Sequence, residues 1–296
     1  MRKITTLFDR NTLLHLRLPF SFFLLPVFCF AVSQTTTINL FNVIIIFIVL
    51  HLFIYPGSNI YNSFMDKDTG SIGGLKNPPP VTKKLYYVSI LFDSTGLLIC
   101  VLINIKMLPL MLLYILISKA YSWNGVRLKK FAVGGWFVVM LFQGGYTFLL
   151  VNMSAMNCFD SSWFTANNTL CMLLSSLLIG GYYPLTQIYQ HEEDALRGDK
   201  TISYKLGVIG TFIFSGLIFM LASLTSLYYF ITYYSNLHFI IFMVCLIPVI
   251  LYYSFWFAKT LKNKAAADYR HAMQMTFISS SCMIICYSIL YFLNHL

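Results

Sequence analysis

The chain has 296 residues, of which 58% are hydrophobic and only 10% charged, with a formal net charge of +10. A mean hydropathy of +0.73 excludes a soluble domain and marks a polytopic membrane protein. No polar block exceeds roughly thirty residues, which leaves no room for a second, soluble domain, so residues 1–296 read as one membrane domain. The seven cysteines are scattered, mostly within apolar runs and without a CxxC pair, and read as small buried hydrophobes.

Residues 1–17 form a short basic arm, and the apolar run 18–33 is the first membrane segment. Ala31-Val32-Ser33 resembles a signal-peptidase site, but the run is read as a retained span. Further apolar segments follow at 38–57, 85–105, 107–122, 131–151, 163–188, 206–230, 236–258 and 271–294. Each is close to the ~20 residues that a helix needs to cross hydrocarbon. The expected fold is therefore an all-α integral membrane protein of about nine transmembrane helices. Only Asn104 to Lys106 separates the third segment from the fourth.

Charge placement tests that count. With the N-terminus inside, nineteen of the twenty Lys and Arg residues fall on the inner side, Arg2 and Lys3 among them, and only Lys106 falls outside. A bias of that strength supports nine crossings with a cytoplasmic N-terminus, across the inner membrane if the source is bacterial. The basic charge is then topological, and nucleic acid is not expected as a partner.

Six of the ten carboxylates crowd into two stretches, Ser58–Pro80 and Tyr189–Gly207: Asp66, Asp68, Glu192, Glu193, Asp194 and Asp199. Four crossings separate the stretches, so both are expected on the cytoplasmic face, where they can meet over one cavity. Asn62 and Asp66 are spaced i, i+4 and share a helix face. Asp68 turns back towards them if the helix stops at Gly70, Gly73 and Gly74. Gln190 and Asp194 repeat the spacing on the sixth segment, which Gly198 ends. Paired oxygen donors of this kind suit Mg²⁺, which binds one or two carboxylates together with substrate phosphates and water. Lys67, Lys76, Arg197 and Lys200 lie near enough to supply counter-charge to a diphosphate. The plain alternative is a pair of solvated loops, but inner loops usually carry lysine rather than clustered acids.

The first stretch resembles the first aspartate-rich motif, NxxxDxxxD, of the UbiA family of intramembrane prenyltransferases, with Asn62 and Asp66 on its first two positions. The second resembles that family's DxxxDxxxG motif, with Asp194 and Gly198 in register and Lys200-Thr201 following. Tyr121-Ser122 followed by Arg127-Leu128-Lys129-Lys130 is similar to the loop after the family's fourth helix, and Arg17-Leu18-Pro19 to the arginine opening its first. Two motif positions depart: the last aspartate of the first motif falls on Gly70, with Asp68 the nearest substitute, and the first aspartate of the second falls on Gln190. Glu192, Glu193 or Asp199 is available to compensate.

The resemblance implies a bundle of helices around a central cavity and Mg²⁺-dependent transfer of a prenyl group from its diphosphate to a lipophilic, usually aromatic acceptor. It implies Asn62, Asp66, Asp68, Gln190 and Asp194 as metal ligands and Arg17, Lys67, Arg127, Lys130 and Lys200 as diphosphate contacts. Tyr182, Tyr183 and Tyr189, close before Asp194, offer aromatic faces to an allylic cation, with Tyr189 the expected catalytic one. Asp93, inside the third segment, needs a cavity or a partner; acceptor binding and a structural bond to a neighbouring helix are both open. His191 is read as a lone loop histidine rather than a base or ligand. The rival class is a transporter or channel using the acids as an ion path, which would place acids within helices near the midplane.

Overall fold

A computed structural model describes residues 7–295; Arg2 and Lys3, counted above on the inner side, lie outside them. The chain is helical almost throughout and packs as two compact units, Met1–Ser21 with Ile44–Leu128 and Phe22–Val43 with Lys129–Leu296.

In the first unit, helix α1 (Arg10–Leu16) is opened by Asp9, whose side chain accepts from Thr12 N at 2.9 Å, and is closed by Arg17 in the left-handed region at φ 49°. Lys84 donates to the same Asp9 carboxylate, and this bond holds the carboxyl down at about pKa 2. A 3₁₀ stretch, Leu18–Leu24, leads on into α2 (Leu25–Ser33), which belongs to the second unit.

Helix α3 (Leu40–Asp66) widens to a π turn over Val49–Ile54. This turn lies just before Pro56, which has no N–H to give the preceding turn. Helices α4 (Lys84–Leu102) and α5 (Met107–Ser122) complete the unit, and Leu16, Ile60, Leu85 and Val88 form its buried core. Between α3 and α4 the chain reverses at Gly73-Gly74, with Ile72 and Leu75 exchanging backbone hydrogen bonds of 2.9 Å. A Cβ on Gly73 would lie 2.7 Å from the Phe20 ring, so a larger residue there would have to push that ring aside.

The second unit opens with α2. Asn152 ties it to α6 (Ala132–Met156) by donating to Ala31 O at 2.8 Å, while Trp163 Nε1 donates to the same asparagine. Helix α6 contains a second π turn, Met140–Tyr146, whose glycines admit α7 (Ala166–Gln187) to backbone contact: a Cβ on Gly144 would stand 2.6 Å from Ser176 Cα. A short helix α8 (His191–Arg197) precedes α9 (Ile202–Tyr233), which is broken at Gly207 (φ 67°). Helices α10 (Asn236–Lys262) and α11 (Tyr269–His295) follow. Leu185, Phe212, Trp256 and Met275 sit at the centre of this unit's core.

Among the described residues, eight helical stretches are long and apolar enough to cross a membrane, where nine were expected: Arg10–Ser33, α3, α4, α6, α7, α9, α10 and α11. The fourth expected segment forms α5, an apolar helix of only 16 residues. The boundary before it is a turn in which Asn104 Oδ1 accepts from Lys106 N at 3.0 Å.

Candidate active site

The first acidic cluster is built on the last turn of α3, where Asn62 and Asp66 lie on one face as their spacing requires. Asn62 Nδ2 donates to Asp66 Oδ2 at 2.8 Å and to Ser122 Oγ, at the end of α5, at 2.9 Å. That fixes the amide's orientation, and its Oδ1 accepts no hydrogen bond among the described residues. Asp66 is buried, and Arg127 Nη1 stands 3.3 Å from its Oδ1.

The helix stops at Asp66 because Lys67 turns left-handed (φ 52°). The stop expected at Gly70 therefore comes three residues early and does not rest on glycine. Asp68 leaves the helix and is half-buried, while Lys67 and Lys76 are exposed. Arg17 is fastened beside this turn: Nη2 donates to Asn59 O at 2.9 Å and Nη1 to Gly73 O at 3.2 Å. Arg17, Lys67 and Arg127 are three of the four non-glycine residues with positive φ among those described. Each such residue costs about 1–2 kcal/mol, and strain of this kind concentrates at functional sites.

The second cluster does not sit on a continuation of the sixth segment. Helix α7 ends at Gln187, Gln190 takes a non-helical cap conformation (φ −102°), and Asp194 lies within the separate helix α8. The i, i+4 relation survives as the bond from Asp194 N to Gln190 O at 2.9 Å. Gly198 ends α8 in the left-handed region (φ 72°), as its sequence position suggests. Asp194 is buried, and Thr201 Oγ1 donates to its Oδ2 at 2.8 Å.

Backbone pairing of Phe131 with Lys200 and of Ala132 with Thr201 lays the start of α6 beside the strand that follows α8. Lys130 and Lys200 are both exposed there, the first with its ammonium 5.0 Å over the Phe131 ring, and the buried Asp199 carboxylate is 3.6 Å from Lys129 Nζ. Glu192 is exposed and Glu193 half-buried.

Tyr189 packs edge-on against Tyr269 with ring centroids 5.3 Å apart. The hydroxyl of Tyr182 donates to Thr276, and that of Tyr183 accepts from Gln187. His191 Nε2 is 2.7 Å from Ser203 Oγ, which is 3.0 Å from Thr211 Oγ1. Burial lowers the His191 pKa below its usual value, so the ring is neutral at pH 7 and serves this hydrogen-bonded chain.

Asp93 has a charged partner on a neighbouring helix. Lys119 Nζ lies 2.6 Å from its Oδ2, 2.5 Å from Ser89 Oγ and 4.1 Å above the Tyr61 ring. Sequence reading missed Lys119 as its partner, and missed Ser122 as the group that orients Asn62. The search for a counter-ion that a carboxylate inside a span demands would have found Lys119.

No three His, Cys, Asp or Glu side chains converge on a metal position among the described residues. The donors suit magnesium rather than a protein-only cage: in the first unit a hard oxygen of buried Asp66 beside the Asn62 carbonyl oxygen, and in the second unit, taken by itself, the buried Asp194 carboxylate.

An all-helical polytopic membrane protein with buried carboxylates at the helix ends is the class that this architecture defines. The chain belongs to the UbiA prenyltransferase family, whose model matches residues 22–281, and is an enzyme of that family. Its fold resembles that of a UbiA homolog from Archaeoglobus fulgidus solved with GPP and Mg²⁺ (TM-score 0.66, 16% identity, covering 95% of this chain and 99% of that one). The same homolog bound to DMAPP and Mg²⁺ gives a TM-score of 0.65 at 17% identity, with 95% and 99% covered. A structure described under digeranylgeranylglyceryl phosphate synthase gives 0.62 at 18% identity, with 95% and 98% covered. A search of curated proteins finds no significant match.

Proposed function

We propose that this enzyme transfers a prenyl group from a prenyl diphosphate to a lipophilic, aromatic acceptor within the membrane, with Mg²⁺ as cofactor. The observation that carries the reading is the buried Asp66 carboxylate, held between the Asn62 amide and the Arg127 guanidinium in a member of this family. The relatives solved with DMAPP or GPP and Mg²⁺ support the donor class.

In this reading Asp66 and Asp194 are the principal metal ligands, joined by Asn62 through Oδ1, by Gln190, and by Asp68 in place of the acid missing at Gly70. Magnesium, when bound, supplies positive charge that screens the diphosphate and eases its departure. Arg17, Lys67, Arg127, Lys130 and Lys200 add fixed positive charge as the allylic C–O bond breaks and its electron pair passes to the diphosphate. Tyr189 presents a π face to the allylic cation, and the apolar surroundings keep water from it until the acceptor attacks.

Residues 1–296 act as one membrane domain, with the N-terminus and both acidic stretches on the cytoplasmic side. The test is incubation of the purified protein with Mg²⁺, labelled prenyl diphosphates of several lengths and a membrane extract, followed by mass spectrometry. A labelled, Mg²⁺-dependent lipid product is expected; none at any chain length would overturn the reading.

A further inference from the structure

Within the second unit, the junction of α10 and α11 carries four exposed cations, Lys259, Lys262, Lys264 and Arg270, and a single carboxylate, Asp268. The connection between the helices is held in place. Asn263 Oδ1 accepts from Ala265 N at 3.0 Å, and the buried Trp256 donates through Nε1 to Ala266 O at 2.8 Å. Asp268 Oδ1 is turned to His271, accepting from its backbone N at 2.8 Å and standing 2.9 Å from its Nδ1. Lys259 Nζ lies 3.1 Å from the other ring nitrogen, Nε2.

Cations at the ends of spans set topology in any membrane protein, but several elsewhere in this chain are neutralised: Lys84 by Asp9, Lys119 by Asp93, Arg127 by Asp66 and Lys129 by Asp199. None of the four at this junction meets a carboxylate among the described residues. They form a positive patch with charge to spare. An apolar stripe leads up to it. Ile247, Leu251 and Phe255 share one face of α10 with Lys259 and Lys262, and the three apolar side chains are 50–65% exposed. Lys259 lies back along this stripe, its ammonium 5.9 Å over the Phe255 ring. From Leu251 to Lys262 the helix rises ~16 Å, close to the depth of one leaflet, half of a ~30 Å hydrocarbon core.

We propose that this corner binds an anionic phospholipid, its headgroup phosphate on Lys262, Lys264 and Arg270 and an acyl chain along Phe255, Leu251 and Ile247. Charge complementarity selects the headgroup, and the apolar stripe selects a lipid over a soluble anion. The surface lies in the second unit alone, and its test needs no prenyl transfer, so it stands or falls apart from the diphosphate reading.

The experiment adds dioleoylphosphatidylglycerol or dioleoylphosphatidylcholine to the full-length protein in detergent and counts retained lipid by native mass spectrometry. The anionic lipid should be retained in preference, and raising the salt should weaken it. Lys262→Gln combined with Lys264→Gln should lower its retention by at least fivefold, since each basic residue near a lipid surface contributes about that factor. A charge-matched control, Lys106→Gln with Lys205→Gln, removes two exposed cations elsewhere and should retain the lipid like the parent. A phosphatidylglycerol with a diazirine on its acyl chain should form adducts on the α10 peptide that carries Leu251 and Phe255.

Equal retention of the two lipids, an equal loss in both double variants, or adducts confined to other helices would overturn the proposal. Displacement of the lipid by inorganic phosphate would overturn it too, because the patch would then hold a free anion without its chains. All four substituted lysines are exposed, so both double variants should melt like the parent without added lipid. Phosphatidylglycerol should then raise the melting temperature of the parent and the control but not that of the Lys262/Lys264 variant; an equal rise in all three would place the lipid elsewhere.

Discussion

Asp93 Oδ2 and Lys119 Nζ stand 2.6 Å apart and join the middle of α4 to the last turn of α5. Their side chains are only 11% and 19% exposed, so neither charge has water to fall back on. Asp93→Asn should cost about 3–5 kcal/mol by leaving the lysine uncompensated, whereas Asp93→Leu combined with Lys119→Met should recover most of the loss. Thermal unfolding in detergent reads both. An Asp93→Asn protein as stable as the parent would show that the pair is dispensable.

Asp66→Ala and Asp194→Ala should each nearly abolish Mg²⁺-dependent binding of a prenyl diphosphate and lower transfer by ~10²–10³. Asn62→Leu should weaken Mg²⁺ dependence as well, because it removes both the open carbonyl oxygen and the amide that holds Asp66 Oδ2. Calorimetric titration that finds unchanged binding in the two alanine variants would misplace the site.

The two departures from the family motifs make opposite tests. Asp68→Asn should lose most activity while remaining folded, since Asp66 would otherwise be the only carboxylate of its cluster. Gln190→Asp should be tolerated or should tighten Mg²⁺. Aspartate suits the cap position that Gln190 holds before α8, and it adds a charged ligand. Gln190→Leu should weaken Mg²⁺ dependence. Parental kinetics for Asp68→Asn would reduce that residue to a loop charge.

Native Cys158, in the stretch after α6, should react with a membrane-impermeant maleimide added from outside, while a Thr69→Cys reporter in a cysteine-free background should be spared. Thr69 is exposed and lies three residues past Asp66. The reverse labelling would invert the proposed orientation.

The helices were legible because each apolar run had to satisfy its own backbone in lipid. The acids were legible because charge is rare in this chain. The left-handed residues were not. Gly198 announces its conformation, but Arg17, Lys67 and Arg127 carry a Cβ that disfavours it. Arg17 at least is held there by distant groups, Asn59 O and Gly73 O. The break between α7 and α8 was hidden because Gln190 and Asp194 keep the same spacing whether the helix is continuous or restarted. The Asp93–Lys119 pair joins residues of different helices, and no local pattern reports such a meeting.

Helix α5 has a mechanical consequence for the lipid around it. Its 16 residues rise about 24 Å, against the ~30 Å of a typical hydrocarbon core. Lys106 lies exposed just before its first turn, and Lys119 is tied down within its last by Asp93. One end is held by an ion pair and the other carries an exposed lysine, so a bilayer that α5 crosses would be drawn thinner beside it. Each ångström of mismatch costs a fraction of a kcal/mol. Thickening the membrane with long saturated chains should therefore strain the α4–α5 corner before the longer spans.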